Sequence, residues 1–265
     1  MRKYGEVFRL SFKMQIAWRF DVMMTMAAAF AHIVTMWILW QAIFEGRELI
    51  EGFTFEAMLS YHVVCAILRS VDFSNQISGE VSELIRGGRF SRHMVAPVNP
   101  MGFFGCLVAG ETAFHIGFSV MAAAACAFLF KLPVSLTADM PRILLAAATI
   151  PLGLSFMACY RYFLGVLTFK FLEISFILYM QMSLAAFATG AFVPLALLPK
   201  AVLGFLRYMP FTHVVYTPAM LLTGQMDAAE GLSGLAVLLA WTVIMAAAAQ
   251  GTYRRLRLRY DGVGI

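Results

Sequence analysis

Long apolar runs, each close to the length that crosses a bilayer, constrain this chain more than any other feature. The hydrocarbon core of a membrane is about 30 Å thick, so an α-helix needs about 20 predominantly apolar residues to cross it. Segments 22–44, 101–130 and 232–253 reach that length, and the only Asp, Glu, Lys or Arg among them is Glu111. Soluble domains are about half apolar and about a quarter charged. This 265-residue chain is 61% hydrophobic and 13% charged. So few charges cannot clothe that much apolar surface in a water-facing skin. The expected fold class is an all-α integral membrane protein.

The run order predicts six transmembrane helices: 22–44, 55–73, 101–130, one beginning near Ile143, one ending near Val193, and 232–253. The turn between the fourth and fifth falls somewhere in 161–173. Lys and Arg set the orientation, because cytoplasmic loops are enriched in them. One side collects fifteen of the twenty basic residues, including Arg69, Arg86, Arg89, Arg92, Arg161 and Lys170. The other side holds Arg47, Lys131, Arg142, Lys200 and Arg207. Both termini are therefore expected in the cytoplasm. The same bias accounts for the net charge of +5 without a nucleic-acid partner.

Two segments depart from plain spans. The opening, "MRKYGEVFRLSFKMQIAWRF", places Arg2, Lys3, Glu6, Arg9 and Lys13 on one helical face and Tyr4, Val7, Phe8, Met14 and Trp18 on the other. Such a helix over 1–20 suits the membrane interface, with Trp18 at headgroup level. Segment 194–224 is apolar but carries Pro194, Pro199, Pro210 and Pro218. Proline removes a backbone donor and breaks helices, so this stretch is expected to form a re-entrant hairpin of two short helices, about 200–208 and about 212–223, dipping in from the outer face.

Little here points to chemistry within the chain. Cys65, Cys106, Cys126 and Cys159 all lie in apolar runs with no Cys-x-x-Cys spacing, so they read as small core residues rather than metal ligands. No catalytic set and no Gly-x(4)-Gly-Lys-Ser/Thr phosphate loop occurs. No resident cofactor is expected. Glu111 and His115, four apart on the third span, share a face. They would line a translocation path or relay protons, or else form a hydrogen-bonded pair that fixes helix packing. Arg69 and Asp72 read as a local ion pair, and His32 as a satisfied buried histidine.

Between the second and third spans stands "EVSELIRGGRFSRHMVAPVNP", the most polar stretch between two long apolar runs. Val81, Leu84 and Ile85 recur at helical spacing, Glu80, Glu83, Arg86, Arg89 and Arg92 remain free of that face, and Gly87-Gly88 would end the helix. Taken with "GAFVPLALLPKAVLGFLRYMPFTHVVYTPAMLLTG" before the last span, the order of elements resembles the type-2 permeases of ATP-binding-cassette exporters. That resemblance covers nearly the whole chain. It implies a single permease domain over 1–265, with a cytoplasmic coupling segment in 74–100 whose residues Glu80 to Arg92 meet an ATPase subunit. It also implies two ATPase copies binding ATP and Mg²⁺, a second identical or homologous permease, surrounding lipid, and a place in the plasma membrane, the inner one in bacteria. The abundant Met and Phe, 18 and 24 residues, suit a hydrophobic or amphipathic cargo. The rival readings are a proton-coupled secondary transporter using Glu111 and His115, and a non-transporting membrane scaffold.

Overall fold

The computed structural model describes residues 2–17, 19–171 and 173–259, leaving out Trp18 and with it the expected headgroup anchor. Among the described residues all regular elements are helical: α1 (Arg2–Met14), α2 (Arg19–Phe44), α3 (Phe55–Ser70), α4 (Asn75–Arg86), α5 (Ser91–Val95), α6 (Pro100–Leu129), α7 (Met140–Val166), α8 (Ser175–Ala188), α9 (Lys200–Leu206), α10 (Tyr216–Leu222) and α11 (Ala228–Leu256). Four of them, α2, α6, α7 and α11, are long and apolar enough to cross a membrane. Their outward side chains, such as Phe20, Phe128, Leu144 and Val243, are exposed apolar groups. A bilayer solvates such a surface, whereas water would not.

The second and fifth expected spans are shorter than the run lengths suggested. At 1.5 Å per residue, the 16 residues of α3 extend about 24 Å and the 14 of α8 about 21 Å. Residues 57–66 of α3 are all buried, so this helix is surrounded by protein and is not matched to lipid. At its C-cap one carbonyl is met from a neighbour, where the Thr112 hydroxyl donates to the Val71 carbonyl at 2.8 Å. Helix α8 stops at Ala188, and Gly190 turns the chain with φ +71. There the Tyr61 hydroxyl donates to the Gly190 carbonyl at 2.7 Å. The turn between α7 and α8 is the 3-10 segment Leu167–Phe169, inside the range read from sequence.

Helices alternate between two ends of the bundle. One end gathers the start of α6, the ends of α7 and α11, and all of α4, around Ile77, Val81, Phe90, Phe104, Tyr162 and Tyr253. The opposite end holds the start of α7, the start of α11 and the proline-rich segment. Its ion pairs run from Arg142 to Asp139 and Asp227 at 3.1 and 3.2 Å, and from Arg207 to Glu230 at 2.6 Å.

The prolines account for the broken helices at that end. Pro199 stands at the N-cap of α9, Pro210 opens the 3-10 turn Pro210–His213, and Pro218 lies in the first turn of α10. Each occupies a position where a missing N–H costs no intrahelical bond. The intervening polar groups are satisfied locally. His213 bridges the Thr217 hydroxyl at 2.8 Å and the Arg207 carbonyl at 2.9 Å, and the Thr212 hydroxyl donates to the Leu206 carbonyl at 2.8 Å.

Helix α1 runs alongside the first half of α6 in the same direction. The Asn99 N–H donates to the Tyr4 hydroxyl at 2.9 Å, the Ser11 hydroxyl donates to the Leu107 carbonyl at 2.6 Å, and Phe12 meets Phe114 edge-on at 5.4 Å. Only a residue without a Cβ permits this approach at Gly110, where a Cβ would come within 2.5 Å of the Phe8 carbonyl. Part of the apolar face that the sequence assigned to the membrane interface is thus taken up by protein.

Candidate functional site

Helix α4 is amphipathic, and its two faces have different partners. Ile77, Val81, Leu84 and Ile85 are all buried, with Val81 at 0% exposure. They pack against Phe90, Phe104, Tyr162, Val166 and Tyr253 of the same chain. The Thr168 hydroxyl donates to the Ser82 hydroxyl at 3.0 Å across the seam. Gly165 of α7 makes the close approach, since a Cβ there would lie 2.8 Å from the Val81 Cβ. This corrects the expectation that Val81, Leu84 and Ile85 anchor a partner subunit. Spacing announced a buried face, and the feet of α7 and α11 cover it.

The helix ends at Arg86, as the glycine pair predicts. Gly88 takes φ +70, and the Phe90 N–H donates to the Leu84 carbonyl at 2.9 Å. That turn drives Phe90 into the core, a role its place in a basic loop did not reveal. Helices α4 and α5 present charged side chains outward, beside the exposed Val95. Glu80, Glu83, Arg86, Arg89 and Arg92 are exposed. Arg89 pairs with Glu83 at 2.9 Å, and Arg86 with Glu173 at 2.8 Å. Desolvation by neighbouring side chains pushes the carboxyl of the otherwise exposed Glu80 up against the pull of Arg92, and Glu83 adds to the rise. Hydrogen bonds from Ser175 hold the Glu173 carboxyl low, and Arg86 adds to this. Exposed pairs of this kind contribute only about 0–1 kcal/mol each to stability. They leave the face free to exchange partners.

Glu111 and His115 are buried on α6, yet they do not bond each other. Glu111 Oε1 accepts from Gln76 Nε2 of α4 at 3.4 Å, while His115 Nε2 lies 3.4 Å from Gln15 Oε1, just beyond α1. The His115 ring also rests against Phe73 at 4.5 Å. A cavity of about 400 Å³ runs between α1, α4 and α6 with Asp21, Gln15, Gln76 and Glu111 among its walls. The two glutamines were missed because neither stands at an informative spacing from Glu111 or His115.

A second polar cluster was misread from sequence. Arg161 was counted among the basic residues that set orientation, but it lies inside α7 at 3% exposure. The expected Arg69–Asp72 ion pair is not formed. Arg69 stands over the Phe192 ring at 4.6 Å, and Asp72 Oδ1 accepts the Ser74 N–H at 3.0 Å. Arg69, Asp72, Asn75 and Arg161 converge instead on one cavity of about 160 Å³ between α3, α7 and α8. His32 is also unlike the expectation, because its Nε2 is buried without a hydrogen-bond partner among the described residues.

A family model described as ABC-2 family transporter protein matches residues 30–264. No curated protein and no solved structure matches the chain.

Proposed function

The chain belongs to the ABC-2 family of transporter proteins, and from that premise we propose that it is the membrane-spanning subunit of an ATP-driven exporter. The observation that carries this reading is α4, a helix locked into the bundle along one face and charged along the other. A partner that engages Glu80, Glu83, Arg86, Arg89 and Arg92 would move α4 as a body. Close-packed interiors transmit displacement without absorbing it, so the seam at Gly165 would pass that motion to α7 and α11. ATP and Mg²⁺ belong to the partner, an ATPase present in two copies, and a second identical or homologous permease completes the path.

In this reading residues 1–265 form one permease domain with six crossings, the short α3 and α8 included. Segment 74–100 is cytoplasmic, and 194–224 is re-entrant from the outer face. The excess of basic residues on the α4 side supports cytoplasmic termini, in the inner membrane of a bacterium. Glu111 and His115 act through packing and hydration of the path. The cargo is hydrophobic or amphipathic.

Reversing charge on the free face tests the reading without touching the core. Arg89→Glu with Arg92→Glu should leave membrane expression and thermal stability near wild type while reducing the co-purified ATPase at least tenfold, together with ATP-dependent efflux. Full retention of both ATPase and efflux in this variant would return the segment to an ordinary loop. Absence of any ATPase from wild-type preparations would remove the exporter reading itself.

A further inference from the structure

An arginine within a membrane helix is unfavourable unless it meets water, protein partners or a ligand. Arg161 has no hydrogen bond or ion pair among the described residues, and its Nε is buried without a partner. Its guanidinium carbon lies 5.8 Å from the Tyr160 ring, and Asp72 is the carboxylate that acts on its charge. Arg69, from α3, lines the same cavity and is likewise without a carboxylate at ion-pair distance among the described residues. Among the described residues Asp72 is the one acidic group in the lining, and one of its oxygens already accepts the Ser74 N–H. Two guanidinium groups thus face one partly engaged carboxylate.

Apart from Asn75 and Thr189, the rest of the lining is apolar. Ile150, Leu154 and Met157 lead toward Arg161 along one face of α7, spaced four and three residues apart. Met182 and Ala185 of α8 form the facing wall. Helix α8 packs against the Pro210–His213 turn. Met182 is 54% exposed, so the cavity's edge lies where lipid would be.

The geometry points to this cavity as a binding site for the head of an anionic amphiphile, a carboxylate or phosphate held by Arg161 and Arg69. Its apolar chain lies along Ile150, Leu154 and Met157 and leaves between α7 and α8. A planar guanidinium suits such oxyanions through paired N–H donors. A cationic head would add a third positive charge, and an uncharged one would leave Asp72 as the one carboxylate shared by two guanidinium groups. Taken with the exporter reading, on which the step from ligand to cargo rests, the site narrows the cargo class to anionic amphiphiles.

Native mass spectrometry of the full-length chain in an uncharged maltoside detergent tests this. Dodecyl phosphate should bind at one per chain, at least tenfold more tightly than dodecyltrimethylammonium. Arg161→Met and Arg69→Gln should each weaken it at least tenfold. The thermal midpoint of Arg161→Met should be unchanged or raised, because an unpaired buried charge is replaced by an apolar group. Should Arg161→Met fail to fold, Arg161→Lys keeps the charge but loses the fork, and severalfold weaker binding is expected. Phosphatidylglycerol, with phosphatidylcholine as control, separates the two sources: displacement of dodecyl phosphate by phosphatidylglycerol identifies a bilayer lipid, and its failure to compete identifies a single-chain cargo. Equal binding of the phosphate and ammonium probes, or undiminished dodecyl phosphate binding in the folded Arg161 variant, overturns the proposal. No ATPase or nucleotide is present, so a chain that binds dodecyl phosphate but never purifies with an ATPase keeps this site and loses the exporter reading. The reverse pattern does the opposite.

Discussion

His93 stands among Phe90, Phe103 and Phe104, with ring centroids 5.5, 5.2 and 5.3 Å away, where α5 leads into α6. Burial among these rings holds its pKa below the usual histidine value, and nearby Arg92 lowers it further. A histidine depressed in the folded state takes up fewer protons than the unfolded chain below about pH 6.5. Its contribution to stability is therefore complete above that pH and is lost as pH falls beneath it. His93→Phe should match wild type in thermal midpoint at pH 7.5 and exceed it at pH 5.5. Parallel melting curves at the two values check this, and an equal gap at both would contradict it. Residues of this kind were only partly legible. Glu111 and His115 declared themselves by spacing, but their partners Gln15 and Gln76 lie 100 and 35 residues away. Arg161 looked like a loop charge because charge count carries no depth.

At the scale of elements, α4 is where sequence pattern and packing part company. Periodicity showed that one face of 75–86 is buried, but it cannot say whether the cover is another protein or the chain's own helices. Single truncations separate the two faces. Leu84→Ala removes a side chain at 4% exposure and should lower stability by about 2–5 kcal/mol, as core truncations do. Arg89→Ala loses an exposed ion pair and should change stability by no more than about 1 kcal/mol. Thermal unfolding of both variants in detergent measures the contrast, and equal effects would mean the seam is not the core it is taken to be. The prolines made the broken helices between α8 and α11 readable in advance. The lengths of α3 and α8 were not, because an apolar run has the same composition whether lipid or protein surrounds it.

For the molecule as a whole, the two ends differ in chemistry as well as in helix polarity. The α4 end carries most of the basic residues, whereas the opposite end is strapped by Arg142 to Asp139 and Asp227, and by Arg207 to Glu230. That asymmetry supports the proposed orientation, with the α4 end in the cytoplasm. Single cysteines at Glu48, Ala138 and Ala229, in a chain lacking its four native cysteines, should react with an impermeant maleimide added to intact cells. One at Arg89 should react only after permeabilisation. External labelling at Arg89 would invert the assignment. The membrane class and the alternation of helices were legible because hydropathy acts on whole runs. The packing of α1 along α6 was not, since nothing local in 1–20 names a partner nearly a hundred residues later.

That separation sets a schedule for the nascent chain. Ser11 and its acceptor Leu107 are 96 residues apart, and translation proceeds at about 5–20 residues per second. For about 5–20 seconds α1 therefore exists before α6 has been made. The membrane surface tolerates both charge and grease, and the proposed interfacial role of α1 would hold its amphipathic face there. In the proposed interfacial reading of 1–20, that stay is an early stop on the way to assembly. The groove at Gly110 is the later destination.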